Sequence, residues 1–172
     1  MQALGREVGH RVTSEQAQKL QERHAAVYER YQAAVQPLPG ARELLQQLSR
    51  VKVPYAIATS GLPGVARSAL ERLGIGPEVP VITRQEVQRA KPDPDLFLAA
   101  AQRLNVPIGK AMVAGDSVWD LLAARRAGCL GIGLLSGGYG KEELEQAGAY
   151  RVYQDPAELL THLDEVGIRI VD

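Results

Sequence analysis

The sequence predicts an α/β domain built on a Rossmann-like parallel sheet flanked by helices. Short, continuous apolar runs recur along the chain and alternate with helical patterns. Strands buried on both faces by crossover helices read in this way. Chemically useful side chains also stand where several of these runs end. In open parallel sheets, that is where ligands bind.

Length and composition bound the answer. The 172 residues suit one α/β domain with a small appendage. Apolar residues make up 45% of the chain, enough for a sizeable core. Twenty basic residues balance twenty acidic ones, which argues against a nucleic-acid partner. No apolar stretch approaches the ~18 residues of a membrane span. Residues Met1 to His10 lack the apolar centre of a secretory signal. A cytoplasmic protein with no membrane partner is therefore expected. The single cysteine, Cys129, excludes an internal disulfide and reads as a buried structural thiol. His10, His24 and His162 are scattered and show no ligand spacing.

The elements follow in order. Thr13 and Gln16 form the signature of a capping box. From there to about Val35, Leu20, His24, Val27 and Tyr31 recur at helical spacing, and Pro37 to Gly40 end the helix. Residues 41–50 read as a helix with Leu44, Leu45 and Leu48 on one face. Tyr55 to Thr59 reads as a strand, residues 63–73 as a helix and Val79 to Ile82 as a strand. Residues 94–104 follow as a helix, with Pro94 suited to its first turn. Ala111 to Ala114 is the next strand, and residues 117–127 a helix closed by Gly128. Strands at Leu130 to Leu134 and Ala149 to Val152 bracket a helix from Lys141 to Ala147. A last helix covers 156–166.

Three groups at strand ends carry the functional reading. Thr59, Ser60 and Gly61 offer a hydroxyl and backbone N–H groups to an anion. Lys91 precedes Pro92 and Pro94, which fix its backbone beside a helix start. Asp116 ends an apolar strand after Gly115, and Asp120 lies one helical turn further on the same side. Two such acids suit a hard cation such as Mg²⁺. Each group alone also admits a plain role: a strand-end cap, a surface lysine, a helix N-cap with a solvated neighbour. Ser136 to Gly140 reads as an ordinary connection, and Arg125–Arg126 as a solvated helix face.

In combination and in this order, the three groups resemble the motifs of the haloacid dehalogenase superfamily. The likeness runs from about Pro37 to Leu163 and points to the phosphoglycolate phosphatase and β-phosphoglucomutase-like branch, which has a helical cap. Thr59 matches the strand-end hydroxyl motif, and Lys91 the Lys-Pro-x-Pro motif. Asp116 and Asp120 match Gly-Asp-Ser/Thr-x-x-Asp. The resemblance implies a Mg²⁺-dependent hydrolase of a small phosphorylated metabolite. Thr59, Ser60 and Gly61 would bind phosphate. Lys91 would neutralise phosphate and nucleophile. Asp116 would bind the metal, with Asp120 as ligand or support. Residues 1–36 would be a remnant of the cap and 37–172 the core. Receiver domains use similar groups, but there the acids come first along the chain.

The family's first motif, Asp-x-Asp-Gly-Thr, has no counterpart. It carries the nucleophile on the central strand of the sheet, and this chain has no aspartate before Asp93. The sequence therefore predicts a sheet without its central strand, with exposed edges open to self-association. It is expected to be an N-terminally shortened form, inactive alone. A non-catalytic module binding a phosphorylated ligand or a protein is the alternative.

Overall fold

The computed structural model describes residues 13–31, 34–61 and 63–169. The chain divides into two compact units, Met1–Gln36 and Pro37–Asp172. The first contains helix α1, Ser14–Tyr31. The expected capping box is present: the Thr13 N–H donates to Gln16 Oε1 at 2.9 Å, and the Gln16 N–H to Thr13 Oγ1 at 3.2 Å. His10 and part of the expected end of this helix lie outside the described residues.

The second unit alternates strands and helices. Helix α2 (Ala41–Arg50) leads into β1 (Ile57–Ala58). Helix α3 (Pro63–Arg72) precedes β2 (Val81–Ile82). Helix α4 (Asp95–Arg103), β3 (Met112–Gly115) and α5 (Val118–Ala127) follow. Then come β4 (Leu130–Leu134), α6 (Lys141–Ala147), β5 (Ala149–Tyr153) and α7 (Pro156–Thr161). Gly128 closes α5 with φ 79°, a left-handed cap that glycine takes without penalty. The expected last helix is divided: α7 ends at Thr161 and a 3-10 turn covers Leu163–Val166.

All strand pairs are parallel, but the strands form two sheets. β1 pairs with β2, and separately β3, β4 and β5 pair in that order. No strand joins β1 to β3 among the described residues. The strands expected over Tyr55–Thr59 and Val79–Ile82 shorten to two residues each. A strand with a neighbour on one side only has fewer ladder bonds to hold its ends.

Helices cover both faces. On one, Leu44 and Leu48 of α2 pack on a cluster that includes Ile132, Leu134, Tyr153, Leu159 and Leu163. On the other, Phe97 of α4 meets Ala123 and Ala124 of α5, with Leu121, Leu144 and Ala147 alongside. Fully burying leucines such as Leu96, Leu121 and Leu144 contributes about 1.5–3 kcal/mol each. Cys129 is half-buried with Sγ 3.4 Å from the Ala124 carbonyl, and burial pushes its thiol up.

Two predictions follow from this packing. Gly40 has φ 72°, and a Cβ there would lie 2.3 Å from Cα of Ala157 at the start of α7. Overpacking and positive-φ strain together put the cost of Gly40→Ala at about 2–4 kcal/mol, to be read from the urea midpoint. His162 Nδ1 lies 2.9 Å from the Glu158 carbonyl, and a proton shared there favours the charged ring. Its pKa is therefore raised, with the Glu158 carbonyl the main cause. Its contribution to stability is full below the ordinary histidine value and is lost as pH rises through the raised one. An NMR titration of the imidazole should show a midpoint above that of the unfolded chain.

Candidate functional site

The site grows from the carboxyl ends of β1 and β3. The Thr59 N–H donates to the Ile82 carbonyl at 2.9 Å, which fixes the end of β1 against β2. The Thr59 hydroxyl accepts the Gly61 N–H at 3.0 Å. An N–H expected to face an anion is thus used locally, while Ser60 stays exposed.

Lys91 reaches across the break in the sheet. Its ammonium donates to the Ala58 carbonyl of β1 at 3.3 Å and lies 2.6 Å from Asp120 Oδ1 on α5. It also sits 5.2 Å from the centre of the Phe97 ring. The two side chains are 15% and 10% exposed, so this is not a surface pair. The plain reading of Lys91 as a surface lysine fails for that reason. Its loop is anchored on both sides. Arg126 donates to the Pro92 carbonyl at 3.0 Å, and Asp95 Oδ2 accepts the Arg89 N–H at 3.1 Å. Arg126 is exposed, as expected of a solvated helix face, and its guanidinium also holds the lysine loop.

Asp120 is buried, not solvated. Its second oxygen accepts the Ser117 hydroxyl at 2.6 Å and the Ser117 N–H at 3.2 Å. Ser117 returns a bond to the Asp120 N–H at 3.3 Å, completing a capping box that starts α5. The helix cap is therefore Ser117, and Asp116 stands one residue before it. Asp116 is half-buried and makes no hydrogen bond or ion pair among the described residues.

Close approaches shape this corner. A Cβ on Gly115 would fall 2.4 Å from Asp120 Cβ, and one on Gly137 only 1.9 Å from the Asp116 carbonyl oxygen. The loop after β4, expected as an ordinary connection, thus lies against Asp116. Its Ser136 hydroxyl is buried with no hydrogen-bond partner among the described residues.

The structure brings Lys91, Asp120 and the end of β1 together and sets Asp116 beside them. Both Asp120 oxygens are taken, and no three His, Cys, Asp or Glu side chains converge among the described residues. A magnesium site usually uses one or two carboxylates plus substrate phosphate and waters. Asp116 is one such carboxylate, while Asp120 is engaged with Lys91 and Ser117. No described helix is long and apolar enough to cross a membrane.

One family model and three known proteins show what this chain is similar to. A sequence model described as "Hydrolase: haloacid dehalogenase-like hydrolase" matches residues 2–128. A solved hydrolase from Pseudomonas syringae is 50% identical with a TM-score of 0.90, covering 96% of this chain and 76% of its own. Validoxylamine A 7'-phosphate phosphatase of Streptomyces hygroscopicus is 44% identical over 55% of this chain and 45% of its own length. Phosphoglycolate phosphatase of Rhodospirillum rubrum is 34% identical over 70% of this chain and 50% of its own length. The chain thus spans about half the length of these two curated relatives.

Removing one partner of a buried ion pair leaves the other charge uncompensated. Lys91→Met alone and Asp120→Leu alone should each destabilise by about 3–5 kcal/mol. The double variant should lose less than the sum of the two. Urea unfolding of the three variants measures this, and simple additivity would show that the pair is not coupled.

Proposed function

The chain belongs to the haloacid dehalogenase-like hydrolase family, and from that premise we propose that it is the phosphate-handling core of a phosphomonoesterase for a small phosphorylated metabolite. The observation that carries the reading is the Lys91 ammonium, held between the Ala58 carbonyl and Asp120 at the strand ends. A fixed, part-buried cation is suited to neutralising a phosphoryl group and its attacking oxygen. Thr59, beside Ala58, would add a hydroxyl to the phosphate, with Ser60 and Gly61 next to it. Relatives that carry phosphatase names support a phosphorylated-metabolite substrate.

Covalent phosphoryl transfer also needs an aligned oxygen nucleophile. Ser117 and Asp120 are bonded to each other, and the chain has no aspartate before Asp93. The reading is therefore of a core that works in a longer form bearing Asp-x-Asp-Gly-Thr upstream. Mg²⁺ is the cofactor expected of that form, with Asp116 as the carboxylate available to it. A second reading has one observation in its favour. With both Asp120 oxygens engaged and no Asp-x-Asp-Gly-Thr nucleophile in the sequence, the chain suits a non-catalytic binder of phosphorylated ligands.

One assay series separates the two. Phosphate release is measured on sugar, polyol and glycolate phosphates with Mg²⁺, for this chain and for a version extended to the first upstream in-frame Asp-x-Asp-Gly-Thr. The extended protein should turn over, this chain alone should not, and Lys91→Met in the extended protein should lower kcat/KM by about 10²-fold or more. A stop codon just before Met1 with no such motif in frame, or an inert extended protein, would sink the phosphatase reading. Calorimetric binding of inorganic phosphate to this chain would then favour the binder.

A further inference from the structure

We propose that Arg126 is a positioning residue for Lys91, acting through the Pro92 carbonyl so that one helix, α5, holds the lysine at both its head and its root. The assignment deepens the phosphatase reading and rests on it for its catalytic meaning. The contacts themselves are independent of that reading.

A lysine is a compact charge on a flexible four-carbon stem, so one contact at the ammonium leaves the stem and its root free to shift. Here the head is met by Asp120, whose Oδ1 lies 2.6 Å from Lys91 Nζ. The root is met one residue along the backbone, where Arg126 Nη1 donates to the Pro92 carbonyl at 3.0 Å. Asp120 and Arg126 both belong to α5, Val118–Ala127. Six residues at helical rise separate them by about 9 Å. The helix therefore meets the lysine and its loop at two points a fixed distance apart.

The other bonds of this loop are local. Arg84 donates to the Val87 and Gln88 carbonyls at 2.6 and 3.2 Å, and Asp95 accepts the Arg89 N–H at 3.1 Å. These set the shape of residues 84–95 without tying their backbone to α5. Among the described residues, the Arg126 bond makes that tie. Phe97 packs on Ala123 and Ala124 and brings α4 against α5. Such burial is non-directional, whereas a hydrogen bond fixes distance and angle. The neighbouring Arg125 is placed differently, with Cδ 3.4 Å from where a Cβ on Gly148 would stand. A cation aimed at a phosphoryl oxygen is effective when its position is set before the substrate arrives. An exposed arginine that bonds neither Lys91 Nζ nor Asp120 supplies part of that setting.

The test reads Lys91 itself in the full 172-residue chain. Lysines are acylated at fixed pH with N-hydroxysuccinimidyl acetate, and the rate at each is followed by peptide mass spectrometry. Arg126→Met removes the donor and keeps a long stem and good helix propensity. It should speed acylation of Lys91 by about fivefold or more, the scale of one charge-assisted hydrogen bond, with Lys110 and Lys141 unchanged. Arg126→Lys should restore the original rate, because the contact uses a single nitrogen. Arg125→Met should have no effect. In an Asp120→Asn background the head is already released, so Arg126→Met should add little there. The proposal is overturned if Arg126→Met leaves Lys91 as slow as before, if all three lysines speed up together, if Arg126→Lys fails to rescue, or if the effect is undiminished beside Asp120→Asn. Phosphate release is not read, so this result and the phosphatase reading can fail separately.

Discussion

One ammonium spans a break in a parallel sheet, and the arrangement of the site depends on it. Lys91 touches the Ala58 carbonyl on one side and Asp120 on the other. Neither contact would be stable in isolation. An unpaired strand carbonyl in an apolar cleft and a buried carboxylate are each costly to leave without a donor. A single lysine meets both needs, and its Phe97 contact shields it. The surrounding sequence serves this placement. Two prolines and Arg126 hold the loop, and Ser117 takes the carboxylate oxygen that Lys91 does not.

The alternation of strands and helices was legible because buried parallel strands are continuous apolar runs. Leu130–Leu134 and Lys141–Ala147 match their expected bounds for that reason. Strand length at the break was not legible. Tyr55 and Ala56 look like strand residues, but composition does not say whether a neighbour exists to pair them. The pair Lys91 and Asp120 could be named from motif spacing, whereas its geometry as a direct ion pair could not. In Gly115-Asp116-Ser117 two adjacent residues are good helix caps. Only the three-residue step to Asp120 distinguishes Ser117. Arg126 gave no local signal at all, since the carbonyl it holds lies 34 positions earlier.

Glycine accounts for how tightly the acidic corner is drawn. Gly115 and Gly137 leave room where any side chain would collide with Asp120 or with the Asp116 backbone. The two sit on different elements, the end of β3 and the turn after β4. Their absence of side chains lets three segments meet at Asp116: the strand, the start of α5 and the later loop. The sequence shows both glycines but not their convergence, because that depends on the register of β3 with β4.

The division of the sheet has a consequence for cooperativity. β1, α3 and β2 are contiguous in the chain, as are β3 through β5 with their helices. Each group closes its own crossover without borrowing a strand from the other. Ladder bonds are what normally make neighbouring parts of a sheet melt together, and among the described residues none crosses the break. The two-residue strands of the first group have little to resist fraying, while the second is backed by the fully buried Leu121 and Leu144. The break thus leaves a lightly paired group of strands beside a more deeply buried one, and local opening is expected to begin in the former.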